Sequence, residues 1–159
     1  MKIKIFVTGG TIDNIEYDSL KKERKNYKTY IPELLKQSRV KVDYGIEILM
    51  LKDSKFITEK DRSTIFKKCL YCKQNRILIT HGTATMALTA KFLGKYNIKK
   101  TIVLVGSAIP SNKKKSDALF NLGAALIAVQ ILPKGIYIIM NGNVFSWKNV
   151  KKNFNTGFF

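Results

Sequence analysis

Three short segments carry the residue types from which a small-molecule site is built. Thr8-Gly9-Gly10-Thr11-Ile12 sets a hydroxyl beside paired glycines, which let backbone amides approach a ligand; taken alone it reads as a tight turn. Thr80-His81-Gly82-Thr83-Ala84-Thr85 places a glycine and then hydroxyls where a helix would begin, a position suited to a carboxylate, although Thr83 by itself would serve as a helix cap. Gly106-Ser107-Ala108-Ile109-Pro110 leads through a lysine-rich loop to Ser116-Asp117, whose plain reading is a surface loop and a second cap. The chemistry on offer is anion binding by backbone amides with hydroxyls beside them. His81, the only histidine, lacks a serine-elbow partner and reads as a shaper of its turn. The two cysteines, Cys69 and Cys72, have no second pair and cannot supply four zinc ligands, so no metal site is expected. They read as ordinary thiols, with a redox pair as the alternative.

These segments need elements to position them. Apolar runs of strand length occur at Ile3 to Val7, Ile46 to Leu51, Arg76 to Thr80, Thr101 to Val105 and Gly135 to Met140, with helical patterns between them. Thr58-Glu59-Lys60-Asp61 has the spacing of a capping box opening one helix. A second helix is predicted from about Thr83 to Leu93, ended by Gly94 in the left-handed conformation. A third begins at Ser116-Asp117 and carries Leu119, Phe120, Leu122, Ala125, Leu126 and Val129 as its packing positions. Alternating strands and helices predict an α/β fold, a flavodoxin-like three-layer sandwich with a largely parallel sheet. Asn141-Gly142 predicts a tight hairpin with Val144-Phe145 as a short edge strand. The polar stretch from Asn14 to Tyr30 lacks core periodicity and is the candidate mobile loop. In such a sheet, ligands bind beyond the carboxyl ends of the strands, and all three segments fall there.

At 159 residues, 45% of them hydrophobic, the chain is expected to form a single domain spanning 1–159. Its amino terminus alternates charged and apolar residues and lacks the pattern of a signal peptide. The apolar stretch Ala118 to Leu132 is too short to span a bilayer, so no membrane partner is expected and the location predicted is cytoplasmic. The net charge of +18 raises a nucleic-acid reading, but the lysines are scattered and no nucleic-acid-binding motif accompanies them. No specific nucleic-acid partner is expected; nonspecific binding of RNA at low salt is.

The motifs in this order resemble those of bacterial-type L-asparaginases. Thr8-Gly9-Gly10-Thr11-Ile12 is similar to the first motif of that family and Thr80-His81-Gly82-Thr83-Ala84-Thr85-Met86 to the second. Gly106 through Asn121 and Asn141-Gly142-Asn143-Val144 extend the likeness over essentially the whole chain, as an amino-terminal domain without the family's smaller carboxyl-terminal one. The resemblance implies hydrolysis of L-asparagine, or a related small amide, to aspartate and ammonia with no cofactor. Carried onto matching positions, it implies Thr11 as nucleophile and Tyr17 as the assisting loop tyrosine, with Tyr27 or Tyr30 as alternatives. It further implies Thr83 as second catalytic threonine, Lys152 as its partner, and Ser54 as a ligand for the substrate's carboxylate. Gly10, Gly82 and Ala84 fall in the substrate-binding motifs, and amides beside Thr83 are placed to stabilise an oxyanion.

One departure bears directly on this chemistry. The second motif carries an aspartate where this chain has Ala84, and that carboxylate holds the substrate's ammonium and completes the threonine-lysine-aspartate arrangement. A charge-assisted hydrogen bond contributes about 1.5 to 3 kcal/mol, which predicts roughly a ten- to hundredfold loss. A lysine desolvated without its carboxylate has a lowered pKa and can act as a neutral base. The leading expectation is an asparaginase-like amidohydrolase, closed over its substrate by the loop or by self-association as a homodimer, with the terminal Phe158-Phe159 as the dimer's anchor or as frayed tail. Its rivals are an amino-acid binding protein that has lost turnover and a basic RNA-associated protein on the same scaffold.

Overall fold

The computed structural model describes residues 2–14 and 28–159. Its strands are β1 (Ile3–Gly9), β2 (Tyr44–Lys52), β3 (Arg76–Thr80), β4 (Thr101–Val105), β5 (Gly135–Met140) and β6 (Asn143–Ser146). The helices are α1 (Ile31–Gln37), α2 (Glu59–Tyr71), α3 (Met86–Gly94) and α4 (Ala118–Ile131). The sheet runs β2-β1-β3-β4-β5-β6; the first five strands are parallel and β6 returns antiparallel to β5. This is the flavodoxin-like order, in which the chain leaves β1 toward one edge and then crosses to β3 on its other side, opening a crevice between their carboxyl ends.

The sheet is covered on both faces because β3 and β4 are apolar at nearly every position. Ile5, Val7, Leu78, Val103 and Val105 face α1 and α4, meeting Ile31, Leu35, Leu122, Ala125 and Val129. The alternate residues Phe6, Ile77, Ile79, Ile102 and Leu104 face α2 and α3, meeting Ile65, Cys69, Met86, Ala90 and Leu93. Burial pushes the Cys69 thiol up to about 12, so it stays protonated and lacks the thiolate that redox exchange would need. No helix among the described residues is long and apolar enough to cross a membrane.

Local signals with local partners hold. Thr58 and Asp61 form the capping box, with Asp61 N donating to Thr58 Oγ1 at 3.2 Å and Thr58 N to Asp61 Oδ2 at 2.8 Å. Asn141 and Gly142 take φ of 55° and 75°, as the two-residue hairpin requires. Three expectations are corrected. α3 begins at Met86 rather than Thr83, because residues 83–85 form a turn tied to neighbouring loops. Gly94 does not end the helix in the left-handed region; it lies within it, where Trp147 packs so closely that an added Cβ would sit 2.1 Å from the indole Cδ2. In α4, Leu119 and Phe120 point outward, since the inward stripe runs through Ala118, Leu122, Ala125 and Val129 at helical spacing.

The β3–α3 junction holds His81, which is fully buried. Arg62 Nε lies 3.2 Å from Thr89 Oγ1, Thr89 Oγ1 lies 2.9 Å from His81 Nε2, and His81 Nδ1 lies 2.8 Å from the Gly82 carbonyl. Arg62 only donates and a carbonyl only accepts, so the whole chain of bonds has one consistent direction. Thr89 accepts from Arg62 and donates to Nε2, and Nδ1–H donates to Gly82. Burial, reinforced by the Arg62 charge, lowers the imidazole pKa to about 4 despite the Gly82 bond, keeping the ring in this neutral form.

Two measurements test this packing. Gly94→Ala is expected to lower stability by about 1 to 3 kcal/mol in chemical unfolding, because the Trp147 clash exceeds alanine's helix advantage of about 1 kcal/mol. Unchanged stability would mean the indole yields freely. For His81, whose folded pKa lies below its ordinary 6.5, the stability it contributes is present above pH 6.5 and lost as pH falls toward about 4. As the only histidine, it gives one unambiguous imidazole NMR titration, expected to have its midpoint near 4. A midpoint near 6.5 would contradict the buried relay.

Candidate active site

The carboxyl ends of β2, β1 and β3 meet at backbone distance. A Cβ on Gly10, whose φ is 85°, would fall 2.4 Å from Gly82 Cα, and one on Gly82 would fall 2.7 Å from Ser54 Oγ. Only hydrogen fits at either place, which is the physical demand behind these two glycines. Gly106 closes the far side in the same way, its missing Cβ 2.4 Å from the His81 carbonyl. Around this contact lies a cavity of about 240 Å³ lined by Gly10, Thr11, Asp53, Ser54, Lys55, Gly82, Thr83, Ala84 and Lys152. The structure therefore brings Thr11, Thr83, Lys152, Gly10, Ser54, Gly82 and Ala84 together. Tyr17 and Tyr27 lie outside the described residues, as does most of the polar stretch proposed as a loop. Tyr30 is half exposed and is not among the residues that line the cavity.

Lys152 Nζ donates to Thr83 Oγ1 at 2.7 Å, so Thr83 is no helix cap but one half of a threonine-lysine pair. Desolvation, and then the nearby charge of Lys55, lower the Lys152 pKa below its usual 10.5. Two rings flank the ammonium, Phe154 at 5.9 Å and Phe159 at 5.8 Å from their centroids. Phe159 also packs 6.2 Å from Phe145, and Asn153 N donates to the Phe158 carbonyl at 2.8 Å. The carboxyl terminus is thus folded against the site; Phe158 stays exposed, while Phe159 turns inward rather than fraying.

Ser54 is buried and answers to Thr85, a residue that sequence reasoning does not single out. Thr85 Oγ1 donates to the Ser54 carbonyl at 2.7 Å and Thr85 N to Ser54 Oγ at 3.3 Å. Ser54 accepts in both bonds, leaving its own proton for a ligand oxygen. The Gly82 carbonyl is turned toward His81, and in a trans peptide this turns the Thr83 N–H the opposite way. Among the described residues no backbone carbonyl accepts from the Thr83 or Ala84 N–H. The histidine at the turn therefore aims an amide.

Other residues missed in the sequence anchor the surroundings. Asp13 Oδ1 accepts from Thr29 Oγ1 at 2.8 Å and Tyr30 N at 2.6 Å, and Asn14 Oδ1 accepts from Ser111 Oγ at 2.8 Å and Asn112 N at 3.0 Å. Burial raises the Asp13 pKa against those two bonds. Asn14 and Thr29, near the two ends of the polar stretch, are thereby anchored next to the turn that carries Thr11. The third segment is a support and lines no part of the cavity. Asp117 makes no side-chain cap on α4; its carboxylate accepts from Ala108 N and Ile109 N at 3.0 Å, folding that loop back.

Comparison with known proteins agrees with this geometry. Residues 2–158 match the family described as Asparaginase, N-terminal. A glutaminase-asparaginase of Acinetobacter glutaminasificans is 35% identical over 119 residues, covering 70% of this chain and 36% of the relative. One of the subunits of the glutamyl-tRNA(Gln) amidotransferase of Aeropyrum pernix is 28% identical over 152 residues, covering 89% and 35%. The crystal structure of a probable cytoplasmic L-asparaginase from Campylobacter jejuni superimposes with a TM-score of 0.78 at 29% identity, covering 95% of this chain and 48% of that one. The chain spans half or less of the length of these relatives. By its fold and its matched residues, the chain belongs to the asparaginase family, through that family's amino-terminal domain.

Proposed function

We propose that the chain is an amidohydrolase that converts L-asparagine, or a related small amide, to the acid and ammonia through a threonine nucleophile. The observation that carries this reading is the 2.7 Å Thr83–Lys152 pair facing the same cavity as Thr11. Thr11 Oγ attacks the amide carbon, and its proton is taken up by the Thr83–Lys152 pair and passed to the departing nitrogen. The C–N bond breaks, ammonia leaves, and water cleaves the resulting threonyl ester to return the free hydroxyl. The Thr83 amide, turned from His81, serves the developing oxyanion, and Ser54 with its neighbours holds a substrate carboxylate. A lowered Lys152 pKa suits this task, because only a neutral amine can accept a proton.

Ala84 favours a second reading, a binding protein that keeps the cavity and lacks turnover. It lines the site with a methyl group and gives Lys152 no carboxylate to orient it.

Ammonia release separates the two readings. Wild-type protein is expected to hydrolyse amide at a rate abolished by Thr11→Ala, and Ala84→Asp is expected to raise turnover of L-asparagine roughly ten- to hundredfold. A wild type silent toward asparagine and other small amides would leave the binding reading. In the active protein, the rate should rise with pH through a lysine pKa below 10.5, and that rise should disappear in Lys152→Met. Superimposable pH profiles for the two proteins would rule Lys152 out as the base.

A further inference from the structure

Charge is distributed unevenly along this chain. Of its 11 acidic residues only Asp117 lies beyond Asp61, whereas lysines continue almost to the carboxyl terminus. The fold gathers part of that excess at the amino-terminal ends of the strands, opposite the cavity. There the loops that follow α2, α3 and α4 are stitched into one surface. Thr101 N donates to the Asn75 carbonyl at 2.9 Å, Gly135 N to the Lys100 carbonyl at 3.0 Å, and Lys100 Nζ to the carbonyls of Cys69 at 2.9 Å and Leu70 at 3.1 Å. Lys67 on the last turns of α2, and Lys73, Lys95, Lys99 and Lys134 on the loops, are exposed, and among the described residues none of the five forms an ion pair.

Two hollows open here, each with an aromatic ring beside lysines. The first, of about 550 Å³, is lined by Tyr71, Lys67 and Lys73 over Phe6; among its described lining residues Glu47 is the only carboxylate, and Lys4 and Lys68 each hold it at 2.6 Å. The second, of about 390 Å³, is lined by Tyr96, Trp147, Lys95, Lys99 and Lys134, with no carboxylate among its described lining residues. Tyr71 is 79% exposed, so its ring is open to a ligand, and Tyr96, 43% exposed, is set in place by Phe66, 4.2 Å away between ring centroids. Phe66 and Tyr71 lie on the same helix, which places the two hollows side by side. Lysines alone attract any polyanion from any side. Rings set among them add a preference for a polyanion with exposed flat faces, because a base stacks on the ring while the phosphates flanking it meet the lysines.

We propose that this end of the molecule binds single-stranded polynucleotide without regard to sequence, with Tyr71 and Tyr96 as stacking platforms and the five lysines as phosphate contacts. The surface lies away from Thr11, Thr83 and Lys152, so this binding is independent of the amidohydrolase reading.

Fluorescence anisotropy at physiological salt, with a labelled oligothymidylate of about 12 nucleotides, measures the binding. An abasic strand of equal length carries the same charge without the bases and is expected to bind at least about tenfold more weakly. Tyr71→Ala should weaken binding of the oligothymidylate at least about fivefold and leave the abasic strand unaffected, and Tyr71→Trp should restore it. Replacing both Lys67 and Lys73 by Gln should lower the slope of log affinity against log salt by about 1.4, whereas Lys114→Gln with Lys115→Gln, at the opposite end of the sheet, should leave it unchanged. Equal affinity for the abasic strand, or for a duplex of the same length, would overturn the proposal and leave only general charge attraction. So would Tyr71→Ala binding as tightly as wild type. No amide enters these titrations, so neither result bears on turnover.

Discussion

The site depends on how closely three strand ends can approach at Gly82. Its backbone lies against Gly10 on one side and Ser54 on the other, and a methyl group at either glycine would overlap its neighbour. The strand order makes this contact possible, because β1 lies between β2 and β3 and the loops after all three converge at the crevice. What the contact achieves is proximity between residues far apart in the chain: Thr11, Ser54 and Thr83 line one cavity. The Gly82 peptide does a second task, since the bond from His81 fixes its carbonyl and so the direction of the following amide. Arg62 and Thr89, which do not line the cavity, act on it through this peptide plane.

The sequence was legible where a segment's partners are near in the chain or fixed by periodicity. β3, β4 and β5 have the predicted limits because continuous apolar runs bounded by polar residues are the pattern of central parallel strands. The Asn141-Gly142 turn and the Thr58–Asp61 cap were readable because each is completed within four residues. Legibility ended where a residue's partner comes from another element. Gly94 has the composition of a helix stop, yet its role is set by Trp147, more than fifty positions later. Asp117 resembles a cap, but the amides of Ala108 and Ile109 satisfy its carboxylate first. Asp13 and Asn14 carry no motif, and Thr85 stands in one without a role of its own, because each matters through a loop that the fold brings alongside. The cavity residues themselves were recovered through ordered motifs and family resemblance, and the spacing of single residues would not have found Lys152.

Lys152 shows how the cavity compensates, and fails to compensate, for Ala84. Among the described residues no carboxylate pairs the ammonium, which is held by the Thr83 hydroxyl and by the Phe154 and Phe159 rings. Ring contacts at nearly 6 Å contribute about 0.5 to 1 kcal/mol near a surface, less than a charge-assisted bond of about 1.5 to 3 kcal/mol. They favour the charged form, whereas desolvation and Lys55 oppose it, and the net direction is downward. A carboxylate at position 84 would oppose that lowering and would orient the lysine. The methyl leaves Lys152 easier to deprotonate and less firmly oriented. One residue therefore acts on two properties that can be separated: the proton affinity of the lysine and its orientation. A lowered proton affinity is consequently compatible with an intact Thr83–Lys152 bond, because the methyl removes a counter-charge without breaking that bond.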